Sequence, residues 1–126
     1  MSWRPYNANP DKNRIGDCVI RAISTALSQS WEETYINLCL DGLIQHELPN
    51  ADGLWGEYLK RKGFKRGILN CDEGVCVTVE QFCQDHPQGV YLLCPTNHIV
   101  AVIDGKFYDT WNCGDETINY YWRKED

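Results

Sequence analysis

The sequence predicts an α+β fold in which N-terminal helices, led by one that starts at Cys18, pack on an antiparallel sheet of about four or five strands from the C-terminal half. Two observations carry this reading. Apolar positions recur at helical spacing behind capping residues through the first two thirds of the chain, and from Val90 onward the period becomes that of strands. Within that second region Asp104-Gly105, a two-residue type I′ turn signal, separates the apolar runs His98–Ile103 and Lys106–Trp111.

A chain of 126 residues with 43% apolar composition is long enough for one domain, 1–126, with a real core. Twelve basic against eighteen acidic residues give a net charge of -6, which argues against nucleic acid or an anionic membrane as the main partner. No apolar run approaches a membrane span, and Met1-Ser2-Trp3-Arg4-Pro5-Tyr6 lacks the apolar stretch of a secretory signal, so a cytoplasmic location is expected. The seven cysteines (18, 39, 71, 76, 83, 94 and 113) are odd in number, which in a reducing compartment reads as free thiols more than as a disulfide framework.

Residues 1–16, with Pro5, Pro10 and three asparagines, read as a loop that Trp3 and Tyr6 could pin to the body. Asp17 is the expected N-cap of the first helix, whose apolar residues Val19, Ile23, Ala26 and Leu27 follow at helical spacing. Ser30-Trp31-Glu32-Glu33 has the form of a capping box and opens a second helix to about His46, with Trp31, Tyr35, Leu38, Cys39 and Leu43 on one stripe. Ala51 to Lys62 reads as a third helix, with Leu54, Trp55, Tyr58 and Leu59 inward and Gly63 past its end. Phe64–Leu69 follows as a short strand and residues 70–77 as a loop. Thr78-Val79-Glu80-Gln81 is a second capping box, starting a short helix to about His86. The basic cluster Lys60, Arg61, Lys62, Lys65 and Arg66 straddles a helix end, where dipole compensation and solvation account for it.

The strands then follow as Val90–Cys94, His98–Ile103, Lys106–Trp111 and Thr117–Arg123. If Asp104 and Gly105 form the turn, 103 pairs with 106, 100 with 109 and 98 with 111. Side chains alternate along a strand, so His98, Val100, Asp109 and Trp111 share one face while Asn112 falls on the other. Asp109 is then the diagonal neighbour of His98. A carboxylate there fixes the tautomer and raises the basicity of the free ring nitrogen, which is what a general base for a thiol requires.

A suitable thiol stands at Cys18. In the first turn of a helix, unpaired N–H groups and the dipole favour thiolate, and such positions bring a cysteine from about 8.5 to roughly 3.5–7.5. This requires Asp17 to turn back onto the backbone amides, because a carboxylate facing the sulfur opposes the effect. A lone cysteine is otherwise a small buried hydrophobe, and His98 is what separates the two readings.

Gly16-Asp17-Cys18 at the head of the first helix, further helices, a histidine heading an apolar strand and an aspartate on the next one are similar in order to the papain-like cysteine peptidase superfamily. The chain resembles its minimal bacterial and phage members, the double-glycine leader peptidase domains and the cell-wall amidohydrolases. The resemblance implies a papain-like fold over the whole chain, with Cys18 as nucleophile, His98 as general acid and base, and Asp109 orienting His98. It further implies a peptide or protein substrate and no cofactor. Two positions depart from the pattern. Val19 stands where leader peptidases have glycine, and no glutamine precedes Cys18 to complete an oxyanion hole. Asn13 is the nearest amide donor upstream, with Asn9 and Asn7 behind it, and the Cys18 backbone N–H would be the second donor.

Two alternatives stand beside this one. A catalytically weak or inactive papain-like fold would serve as a protein-binding module, such as a phage-encoded inhibitor of a host factor, through Tyr120-Tyr121-Trp122 with Trp3 and Tyr6. Cys71, Cys76, Cys83 and His86 would form a metal site, although their spacing lacks the paired CxxC of zinc ribbons.

Overall fold

The computed structural model describes residues 1–69 and 76–125. Its elements are, in order, β1 (Trp3–Pro5), α1 (Cys18–Leu27), α2 (Trp31–Gln45), α3 (Asp52–Arg61), β2 (Phe64–Ile68), α4 (Val79–Asp85), β3 (Val90–Pro95), β4 (Val100–Ile103), β5 (Lys106–Asp109) and β6 (Ile118–Lys124). They make a mixed α+β structure of four helices and one six-stranded sheet.

Local chemistry sets most boundaries. Ser30 accepts from the Glu33 amide and Thr78 from the Gln81 amide, so both capping boxes start helices where orphan N–H groups need acceptors. α3 ends at Lys62 and Gly63, the latter at φ +91°, a conformation that costs glycine little. Asp104 and Gly105 adopt φ of 49° and 77°, both positive as a type I′ turn requires, and β4 pairs with β5 in the expected register, Ile103 with Lys106 and Ala101 with Tyr108.

The sheet order is β1-β5-β4-β3-β6-β2, and every pairing is antiparallel except β1 with β5. Two expectations are corrected here. The N-terminal segment is not wholly a loop, because Trp3–Pro5 adds a parallel edge strand opposite Phe107–Asp109, and the sheet is therefore six-stranded and mixed. Nor do the helices form a single layer. Alternation along β3 and β4 sends Leu92 and Ala101 to one side, under α1 and α3, and Leu93, Val100 and Val102 to the other, under Val79, Phe82 and Cys83 of α4. Both faces are buried, which is why β3 and β4 read as near-continuous apolar runs.

α2 is turned differently from the expected stripe. Leu38 and Gly42 face inward, whereas Leu43 is 71% exposed and Tyr35, stacked on Trp31 at 5.1 Å, is also exposed. The aromatic C-terminal run contributes mainly to the interior, since Trp122 is buried and Tyr120 and Tyr121 pack on the two core clusters. Among the described residues, no helix is long and apolar enough to cross a membrane.

Candidate active site

Cys18 opens α1, His98 lies just ahead of β4, and Asp109 closes β5. The sheet ends there, so the three elements deliver their side chains to one place. Cys18 and His98 line a common cavity of about 410 Å³, together with Gly16, Trp55, Asn97 and Asn119. The cysteine is half-buried, and it is among the groups that favour the charged form of the imidazole.

On the other side of the ring, His98 Nε2–H donates to Asp109 Oδ2 at 2.5 Å. With Nε2 committed to the carboxylate, Nδ1 is the ring nitrogen that a thiol base would use. The parity of the hairpin is thereby realised in side chains. Asn112 is elsewhere, its Oδ1 accepting from the Gly114 amide at 3.0 Å. Trp111, just past the end of β5, lies against His98 with ring centroids 5.2 Å apart.

Asp109 is 2% exposed, and every oxygen it carries is occupied. Oδ1 accepts from Thr110 N at 2.7 Å and from Arg21 Nη1 at 3.1 Å, and Oδ2 accepts from Cys113 Sγ at 3.4 Å as well as from His98. Its backbone carbonyl takes the Tyr6 amide at 3.0 Å and the Trp3 indole N–H at 3.1 Å, so β1 fixes the residue from the edge. Burial alone would raise this carboxyl, but the hydrogen bond and charge of His98, helped by Thr110 and Cys113, hold it below the usual range. For His98 burial works toward the neutral ring, and the bonds from Asp109, Cys113 and Cys18 outweigh it, raising the imidazole to about 11. The ring is accordingly imidazolium through the neutral range.

Arg21 and Cys113 are members that sequence reasoning missed. Arg21 Nε donates to Asp17 Oδ1 at 2.7 Å while Nη1 holds Asp109, so one guanidinium, 14% exposed, bridges two buried carboxylates. The i, i+4 spacing of Asp17 and Arg21 was a signal, but nothing in the sequence points from Arg21 to a residue 88 positions away. Asp17 stands at the N-cap of α1 as expected, and its carbonyl accepts from the Arg21 amide at 2.9 Å, but its carboxylate does not turn back onto the helix amides. Asp17 makes no side-chain cap bond; its Oδ2 accepts from Trp31 Nε1 at 3.0 Å and Asn9 Nδ2 at 3.3 Å. A buried carboxylate offered a guanidinium takes the stronger, charge-assisted partner.

The proposed amide donors lie apart from the thiol. Asn13 is exposed and lines the neighbouring cavity of about 740 Å³, which includes Tyr6, Arg14 and Trp111 but not Cys18. Asn9 is buried against Asp17, and Asn7 Oδ1 accepts from the Asn9 amide at 3.0 Å, so both serve the loop. The side-chain amides that do line the Cys18 cavity belong to Asn50, Asn97 and Asn119.

Among the described residues, Cys76, Cys83 and His86 do not gather into a metal-binding group. Cys76 is disulfide-bonded, an exception to the expected free thiols, which Cys18, Cys39, Cys83, Cys94 and Cys113 are. Cys83 is buried under the sheet with its thiol pushed up to about 12, chiefly by burial, and His86 stacks on Phe82 with Nδ1 at 2.9 Å from the Phe82 carbonyl. Cys71 lies outside the described residues. His98, Asp109 and Cys113 do bring ligand atoms within 4.8 Å of one another, but the Arg21 guanidinium on the same carboxylate opposes a cation there. Comparisons with protein-family models, with curated proteins and with solved structures found no match.

Proposed function

We propose that this chain is a cysteine-dependent amide or peptide hydrolase of papain-like type, acting through Cys18, His98 and Asp109. The observation that supports it best is the buried Asp109 carboxylate, 2.5 Å from His98 Nε2, with His98 lining the same cavity as Cys18. In this reading the Cys18 thiolate adds to the carbonyl carbon of an amide. The imidazolium gives its proton to the departing amine, the C–N bond breaks, and a thioester remains on Cys18. Neutral His98 then takes a proton from water, whose oxygen attacks the thioester; the acid is released and the thiolate–imidazolium pair returns. Asp109 keeps its charge throughout and holds the ring. The Cys18 N–H, at the head of α1, is the backbone donor for the oxyanion.

Cys39 provides an internal control, being free and half-buried like Cys18, whereas His46, the histidine that shares its hollow, has no carboxylate hydrogen bond among the described residues. Burial pushes the Cys94 thiol, like that of Cys83, up to about 12. Iodoacetamide at about pH 6.5 should therefore label Cys18 at least tenfold faster than Cys39, followed by peptide mapping, and His98→Ala should abolish the difference. Equal labelling of the two thiols would reject the reading.

A further inference from the structure

α2 carries apolar side chains on two opposite sides, and the fold uses one. Leu38 and Gly42 are buried, while Ile36, Leu40, Leu43 and Ile44 are 55%, 52%, 71% and 76% exposed. These four recur at helical spacing, so they form one stripe of just over two turns facing away from the core. Together they leave on the order of several hundred Å² of contiguous apolar surface, beyond what scattered exposure produces. A hollow of about 390 Å³ adjoins the stripe between Leu43, His46 and Leu48. Its floor is set by the close approach of the following turn to Gly42, where a Cβ would come within 2.6 Å of the Glu47 carbonyl oxygen.

We propose that this face docks an amphipathic helix of a partner protein, one whose apolar stripe is flanked by basic residues. The length and spacing match the i, i+3, i+4, i+7 pattern by which one helix lies against another, and the hollow offers a socket for one large side chain. Charge selects the partner. Exposed Glu32 and Glu33 stand at the start of the stripe and exposed Glu47 at its end, on a chain of net charge -6. A second copy fits poorly, because an antiparallel pair centred on Leu40 lays Glu33 against the other chain's Glu47 at both ends. An anionic membrane meets the same repulsion. Lysine or arginine flanks complete the match at both termini. This inference does not depend on the thiol chemistry.

The test uses two synthetic amphipathic helical peptides with the same leucine stripe, one flanked by lysines and one by glutamates, titrated into isotope-labelled protein. The lysine peptide should shift α2 amide resonances and bind at least about tenfold more tightly than its twin. Replacing Leu40→Ser together with Ile44→Ser should lower that affinity at least about tenfold while leaving the other resonances and Cys18 alkylation unchanged. Equal binding of both peptides, binding of neither, or shifts confined to other elements overturn the proposal. So does self-association, or partition onto phosphatidylserine vesicles, that the double substitution removes.

Discussion

Replacing Asp109 by asparagine removes one charge from the interior and almost no volume. The charges on the carboxylate and the imidazolium are delocalised, so about 4 Å is a fair separation; at an effective dielectric of about 20 their interaction is about 4 kcal/mol, or about 3 pH units at the imidazole. The asparagine oxygen still accepts from Nε2–H, but Arg21 then faces imidazolium with no carboxylate between them. Alkylation of Cys18 near neutral pH should fall on the order of 10²-fold, as should any amide turnover. Stability should fall by about 3 kcal/mol, the lower end for a broken buried pair. At about 2.1 cal/mol/K of unfolding entropy per residue, a chain of 126 residues then loses roughly 11 °C in Tm. The difference also depends on pH. Asp109, held below its ordinary 3.8, contributes stability that is complete above that value and lost as the pH falls through the lowered one. His98, held above its ordinary 6.5, contributes stability that is complete below 6.5 and lost as the pH rises toward about 11. The variant's imidazole, about 3 units lower, stays raised to about 8, so both proteins lose equally between 6.5 and 8, and the Tm gap between them is widest from about pH 4 to 8 and narrows on either side. Calorimetry across that range, with alkylation rates in parallel, checks both numbers. A gap as wide at about pH 9 as at about pH 5.5, or alkylation within about threefold of wild type, refutes the reasoning.

Arg21→Met leaves Asp17 and Asp109 buried without their shared cation and should cost about 3–5 kcal/mol by denaturant unfolding, with Arg21→Lys intermediate because an ammonium does not bridge two carboxylates in the same way. Asn112→Ala, which removes only a local bond to Gly114, should leave Cys18 alkylation within about twofold of wild type; a larger effect would reassign the third residue of the site. Gly42→Ala should destabilise by about 1–3 kcal/mol in the same unfolding assay, because the new Cβ meets backbone that has no rotamer to yield.

Much of this arrangement is written locally. The capping boxes at Ser30 and Thr78 announce two helices because the acceptor and the orphan amide lie three residues apart. The Asp104-Gly105 turn fixes strand register, and register fixes parity, so the meeting of Asp109 with His98 and the exclusion of Asn112 were both legible eleven residues from the histidine. Cys18 at a helix start was legible for the same reason. The sequence by itself thus determined the helices, the hairpin and the identity of the residues that face one another across it.

Tertiary structure decided what reaches those residues from far along the chain. Asp17 holds the N-cap position, yet its carboxylate takes the guanidinium of Arg21 one turn on, which packing α1 against β5 buries and shares with Asp109, and a charged partner in a buried place outweighs a neutral one. β1 was invisible because a three-residue parallel edge strand has no pattern of its own and exists only against Phe107–Asp109. Cys113 shows no local motif, and the outward turn of Leu40 and Ile44 depends on which side of α2 Leu38 and Gly42 find covered by α1 and α3. Periodicity tells that a helix has apolar residues. Which of them are inside is a property of the neighbours, and the neighbours come from elsewhere in the chain.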